Sequence, residues 1–151
     1  KFGGHAMAAG LTLPGEHLPR FAAALSEAVL AQTGGVLPED ALLSDGPLDP
    51  PLLTLELAKR LHGAGPWGQG FAAPLFDDVF ELRGVRDVGA DHLRLQLAPV
   101  GGGAAVAAIA WRAAALQGQL GPRLRVAYRP QVNDWRGERQ VQLLVEGLAT
   151  V

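Results

Sequence analysis

His92-Leu-Arg-Leu-Gln-Leu-Ala98 alternates polar and apolar side chains without interruption. Strand side chains point to opposite faces in turn, so Leu93, Leu95 and Leu97 share one face that asks to be buried. Similar segments lie on both sides. Residues 78–88 alternate through Val79, Phe80, Leu82, Val85 and Val88, with one irregular step that predicts a bulge. Pro99 to Gly103 reads as a turn, and residues 104–111 as a third strand ending in Trp111. Leu124, Val126 and Tyr128 align on a fourth strand over 123–129. Asn133-Asp-Trp-Arg-Gly137 is a hairpin tip, and Val141, Leu143 and Val145 share a face of a fifth strand over 138–147. A short helix over 113–120 separates the third strand from the fourth.

Five short strands with that helical insertion predict an oligonucleotide/oligosaccharide-binding (OB) barrel, with a small sandwich as the alternative. The first 70 residues read differently. Leu11-Thr-Leu13 is β-compatible, and Pro14-Gly15 is a turn. Leu18, Phe21, Ala22, Leu25, Ala28 and Val29 follow helical spacing over 16–32, and Gly34-Gly35 closes that helix. Residues 36–39 read as linker and 41–45 as a strand closed by Gly46-Pro47. Asp49-Pro50-Pro51 opens a second helix, with Asp49 as N-cap, that runs to about Gly63. Residues 65–70 form a glycine loop. The expected class is α+β: a partial α/β segment over 1–35, a strand and helix packing on the barrel over 36–66, and a five-stranded barrel over 67–151.

Composition narrows the function. The 151 residues are 48% hydrophobic and 19% charged, enough apolar material for a core, and the net charge of −2 gives no global attraction to nucleic acid. Any polyanion site is therefore a local patch. Arg112, Arg123, Arg125, Arg129, Arg136 and Arg139 crowd residues 111–139 against only Asp134 and Glu138. The absence of cysteine removes disulfides, thiol nucleophiles and cysteine metal sites, and fits a reducing cytoplasm. No apolar run approaches the length of a membrane span. The chain begins at Lys1 inside a glycine motif, so a fragment of a longer protein is expected.

Several residues carry candidate chemistry. Gly3-Gly4-His5 ahead of small residues 6–9 is a phosphate-binding constellation if a helix starts there: bare N–H groups, the helix dipole and an imidazole donor all favour an anion. Otherwise it is a tight turn. Trp135 at a hairpin tip either stacks a base or folds over the barrel mouth. Arg129, Arg136 and Arg139 follow phosphates, or pair with Asp134 and Glu138. Trp67 is expected to wedge the second helix against the barrel, with Gln69 bonding backbone, and Trp111 to lie in the core. His5, His17, His62 and His92 are scattered, without the close pairs of a zinc site. Asp77 and Asp78 are adjacent and, on a strand, face opposite ways. Gly101 to Gly103 lacks the following Lys-Ser/Thr of a phosphate loop. A sugar-binding barrel is disfavoured, because acids and aromatics do not pair along one strand.

Three segments resemble one family in order and spacing. Gly3-Gly4-His5 with Ala8-Ala9-Gly10 resembles the signature of the DHH-associated domain. Gly65-Pro-Trp-Gly-Gln-Gly70, followed by Pro74 and Phe76, resembles the loop that enters the barrel of RecJ-type exonucleases. Tyr128 to Gly137 with Val141 to Val145 resembles that barrel's closing hairpin. Trp67 departs from the usual phenylalanine, and Phe71-Ala72 from an Asn-Pro. The resemblance implies the C-terminal part of a bacterial, cytoplasmic, single-strand-specific 5′→3′ DNA exonuclease. It implies Mn2+ or Mg2+ bound by an Asp-His-His domain outside this chain. It also implies single-stranded DNA as ligand, with a single-stranded-DNA-binding protein and a RecQ-type helicase as partners, and no membrane. Gly3, Gly4 and His5 would then hold a phosphate, and Tyr128, Arg129, Trp135, Arg136 and Arg139 the strand. An architectural or protein-interaction barrel is the competing reading.

Overall fold

The structure, a computed structural model, describes residues 1–5, 8–36, 41–68 and 70–151. Ala6 of the expected helix start, residues 37–39 of the linker and Gln69 lie outside the described residues. The chain divides into two units, Lys1–Ala41 and Leu42–Val151.

In the first unit the small residues pair instead of coiling. β1 (Phe2–His5) and β2 (Ala8–Leu11) form an antiparallel ladder with Gly3 opposite Gly10, Gly4 opposite Ala9 and His5 opposite Ala8. The expected helix start is therefore corrected at Ala8 and Ala9, which are strand. Gly10 is a poor helix residue by about 1 kcal/mol relative to alanine, and the cross-strand ladder satisfies the same backbone groups. Gly4 permits the close pairing: a Cβ there would sit 3.0 Å from that of Ala9. α1 (Leu18–Gln32) follows a single 3₁₀ turn and has a proline in its first turn. It ends where Thr33 N–H donates back to Val29 O at 2.9 Å and Gly34 and Gly35 turn left-handed (φ 66° and 83°).

Residues 41–45, expected as a strand, form none. In the second unit Asp45 instead clamps Leu75: its N–H donates to Leu75 O (2.7 Å) and its carboxylate accepts from Leu75 N–H (2.9 Å). The second helix also starts later than its spacing predicts. Pro50-Pro51 make only a 3₁₀ turn, and α2 (Leu55–Ala64) is capped by Thr54, whose hydroxyl accepts from Leu57 N–H at 3.2 Å. Thr54 has the extended backbone an N-cap needs, whereas Asp49 makes no side-chain cap. Trp67 closes the other end of α2, donating its indole N–H to Leu61 O at 2.8 Å.

The barrel comprises β3 (Phe76–Val88), β4 (His92–Pro99), β5 (Val106–Ala110), β6 (Arg123–Trp135) and β7 (Glu138–Thr150). Pairing runs β3-β4-β5-β7-β6 and closes back on β3, so the sandwich alternative is excluded. The β5–β7 pair is parallel and the others antiparallel. A 3₁₀ stretch, Ala114–Gln119, stands where the short helix was expected. Leu93, Leu95 and Leu97 meet Phe80, Leu124, Val126, Tyr128 and Leu143 in the closed interior.

Two bulges tune this wall. In β3 the register steps from Leu82 opposite Leu97 to Gly84 opposite Gln96, leaving Arg83 as the extra residue. In β7 the extra residue is Glu146, since Ala127 pairs with Gly147 and Tyr128 with Val145. Leu95→Ala, in the interior wall, is expected to lower stability by about 2–5 kcal/mol in urea unfolding, because a closed barrel cannot collapse onto the void.

Candidate nucleic-acid interface

The β6–β7 hairpin carries most of the predicted contact residues, but it distributes them. Along β6, odd-numbered residues face outward and even-numbered ones inward, as the burial of Leu124, Val126 and Tyr128 shows. Tyr128 is thus corrected from interface to core: it is 1% exposed and packs edge-on against Phe80. Its hydroxyl donates to Asp78 Oδ2 at 2.8 Å, and the same oxygen accepts Leu48 N–H at 3.0 Å. Burial first, and the hydrogen bond to Asp78 second, push the Tyr128 phenol well above its ordinary range.

Arg129 faces outward but is held within the chain. Its guanidinium donates to the carbonyls of Ala73 and Pro74 (3.0 Å to the latter) and to Glu146 (3.2 Å). It fastens the segment leading into β3 onto β6. Arg139 pairs with Asp134 at 2.9 Å on the side of the hairpin opposite to Trp135.

Trp135 and Arg136 remain at the tip. Trp135 is 67% exposed, so it does not fold over the barrel mouth. The Arg136 guanidinium carbon stands 5.8 Å from its ring centroid, within cation–π range. The turn has positive φ at both central residues, Arg136 (55°) and Gly137 (82°), as a two-residue type I′ hairpin requires. The left-handed backbone strains an arginine by about 1–3 kcal/mol.

Gly3, Gly4 and His5 lie on the exposed β1 strand, and Ala8 across from His5 is strand as well, so the anion site of a helix N-terminus is not formed by these residues. Trp67 tilts against Phe71 with ring centroids 5.0 Å apart. Asp77 and Asp78 do face opposite ways. The Ser44 hydroxyl and then Arg125 (Nε–Oδ2 2.7 Å) hold the Asp77 carboxyl below the usual range. Among the described residues no group of three His, Asp or Glu converges to hold a metal, and no helix is long and apolar enough to cross a membrane.

Sequence reasoning missed one surface. Trp111, expected in the core, is 56% exposed and lies across His92 at 4.5 Å. Arg94 and Arg86 stand directly opposite each other on β4 and β3. The signal was present in the opening strand, whose polar residues must face away from Leu93, Leu95 and Leu97. Trp111 was misplaced because a tryptophan ending a run of small apolar residues looks like its continuation.

A family model described as the RecJ OB domain matches residues 44–147. The chain is 41% identical over 150 residues to the single-stranded-DNA-specific exonuclease RecJ of Escherichia coli K12, covering 98% of this chain and 26% of that protein. It is 42% identical over 153 residues to the protein of the same name from Dickeya dadantii, again covering 98% and 26%. It thus spans about a quarter of the length of these relatives. Among solved structures it resembles RecJ of Thermus thermophilus in complex with Mg2+ (TM-score 0.63, 29% identity, covering 100% of this chain and 23% of that one). The Mn2+ complex gives a TM-score of 0.64 at 29% identity, covering 100% and 22%.

Tyr128 is the single tyrosine, which makes its proton easy to follow. The folded protein holds the phenol proton more tightly than the unfolded chain, which releases it near the ordinary value of 10.0. Above that pH only the unfolded state gains the charge, so stability falls as pH rises, by up to about 1.4 kcal/mol per unit. Tyr128→Phe is expected to flatten this alkaline fall in denaturant titrations while lowering stability at neutral pH by about 0.5–1.5 kcal/mol.

Proposed function

The chain belongs to the RecJ OB domain family, and from that membership we propose that it is the strand-holding part of a single-stranded-DNA-specific exonuclease. The carrying observation is the exposed Trp135–Arg136 pair at the tip of the β6–β7 hairpin. An indole offers a face to any unpaired base, and a guanidinium offers charge to the neighbouring phosphate, neither selecting sequence. A duplex keeps its base faces stacked and offers the indole nothing.

Hydrolysis belongs to the longer protein. In this reading a catalytic domain with the Asp-His-His motif, outside this chain, would hold the divalent ions, and the chemistry they would supply there is activation of water and stabilisation of the leaving oxygen. The residues described here do not fit such ions, so no step is assigned to them, and the chain alone is expected to be inactive. By the same reading residues 1–35 are the end of the DHH-associated domain, and Gly3, Gly4 and His5 hold a phosphate in the active-site groove. Direction of cleavage from the 5′ end, a bacterial cytoplasmic location, and contacts with a single-stranded-DNA-binding protein and a RecQ-type helicase belong to the proposal too.

A second reading, an architectural barrel, is favoured by Arg129 and Arg139, both of which are engaged within the chain. Fluorescence anisotropy with labelled oligo-dT separates the two. Strand holding predicts binding that weakens with salt at a log–log slope of about −0.7 per phosphate neutralised. It also predicts a loss of about 1–3 kcal/mol in Trp135→Ala. No binding at low salt favours the architectural barrel.

A further inference from the structure

We infer that the turn after β5 is held by a proton-sensitive latch: neutral His92 binds the Arg112 backbone, and protonation of the imidazole releases the turn and the fixed placing of the Trp111 indole. The device is independent of strand holding.

The latch is one hydrogen bond between the start of β4 and the residues just past β5. The Arg112 N–H donates to His92 Nδ1 at 3.1 Å. A ring nitrogen accepts through its lone pair, so Nδ1 is bare and the single imidazole proton sits on Nε2. A second proton enters only at Nδ1. There it faces the Arg112 N–H, and two donors stand where a donor met an acceptor. Rotation of the ring does not restore the bond, because an imidazolium has no acceptor left.

What this bond holds is strained. Arg112 is left-handed (φ 54°), a backbone that a non-glycine residue keeps only where its surroundings over-determine it. Trp111, one residue beyond the Ala110–Leu93 pair, comes level with His92. The two rings meet edge-to-face, centroids 4.5 Å apart at 80°. The half-buried imidazole also lies against the β3–β4 turn, where a Cβ on Gly89 would stand 4.0 Å from His92 Cδ2. One side chain thus joins that turn, the indole and the strained arginine.

The neighbouring attachments are of another kind. Ala114 N–H donates to Asp91 O at 3.1 Å. The Gln117 amide, with its nitrogen turned towards β3, donates to the Asp87 carboxylate at 2.8 Å. Neither depends on the protonation of an imidazole. Loss of the histidine bond therefore frees Trp111 and Arg112 while Ala114–Gln119 stays docked.

Several charges surround the ring. Arg94 follows two residues on along β4, Arg86 lies diagonally across on β3, and Arg112 is in the turn itself. Asp91 precedes His92 in the chain, and Asp87 stands opposite Leu93. Glu146, which lines the same depression as Trp111 and Arg112, is paired with Arg129. β5 and Ala114–Gln119 carry no charged side chain. The arginines oppose a further positive charge and the aspartates favour it, so together they set where on the pH scale the proton arrives. None of them lets a protonated Nδ1 accept.

The experiment is amide hydrogen exchange on the full chain, followed by NMR from about pH 8 to about pH 5, with the His92 ring nitrogens observed in the same samples. Protection of the Arg112 amide, corrected for the intrinsic exchange rate, is expected to fall by up to about tenfold per pH unit once the ring takes its proton, the slope of a one-proton linkage. Ala114 is expected to keep its protection. His92→Asn, whose Oδ1 replaces Nδ1 as an acceptor that does not titrate, should keep Arg112 protected across the range, and His92→Ala should lose that protection throughout. Arg112→Gly retains the N–H and removes the guanidinium, and its amide should still respond to pH. Protection of Arg112 that does not change with pH overturns the inference. So does its loss together with Ala114 and Leu95, which would mark unfolding of the barrel. A pH response that survives in His92→Asn, or one that vanishes in Arg112→Gly, also overturns it, by assigning the response to another group.

Discussion

One inserted residue, Arg83, decides what the barrel presents to solvent. Strand side chains alternate with a period of two, so an extra residue exchanges the faces of everything beyond it. Were Arg83 paired in regular register instead of bulged out, Val85 would fall opposite Arg94 and leave the interior, and Arg86 would fall opposite Leu93, an arrangement a closed apolar barrel cannot accept. The bulge satisfies the core and exports a positive charge in the same step. Glu146 does the reciprocal job in β7: the extra residue there is acidic, and it anchors Arg129 against the segment entering β3.

These pairings explain how a chain of net charge −2 displays a cationic face. Its carboxylates are not spread evenly among its guanidiniums. Asp77, Glu81, Asp134 and Glu146 each pair with one arginine, and the more exposed of these, Glu81–Arg83 and Asp134–Arg139, add little stability. They do neutralise part of the outer wall, while Arg86 and Arg94, opposite each other, form no ion pair among the described residues. Inside, Tyr128 and Asp78 tie three segments to one oxygen: β6 through the phenol, the 42–54 segment through Leu48 N–H, and β3 through Asp78 itself. The segment leading into α2 is thereby fixed to the barrel wall.

The barrel was legible because its signal is local. Leu93-Leu95-Leu97 and Val141-Leu143-Val145 announce buried faces regardless of what they meet, and Asn133 to Gly137 announces a turn. What the chain does at Ala8, Ala9, Asp49, Tyr128 and Trp111 depends on distant partners. The helix preference of Ala8 and Ala9 is overridden by the ladder to Phe2–His5. Thr54 rather than Asp49 caps α2 because the two prolines stop the backbone in a 3₁₀ turn. Aromatic type alone does not separate a core tyrosine from a stacking one; Asp78, fifty residues away, makes that difference. Of the predicted contacts, Trp135 and Arg136 stand at the tip, while Arg139 takes Asp134, the partner its own hairpin offers, and Arg129 takes Glu146, an acid that the β6–β7 pairing brings near.

The left-handed arginines say something about how an indole is kept in water. A tryptophan at the end of a strand gains by folding back over the nearest apolar wall. At both Trp111 and Trp135 the next residue reverses the chain, and the indole is left outside the wall. Glycine or asparagine would adopt that backbone with less strain. At Trp135, arginine in its place keeps a guanidinium beside the exposed ring at the expense of local stability. Strain retained at two separate turns, each beside an uncovered aromatic, is the pattern of residues positioned for a partner outside the fold rather than for the fold itself.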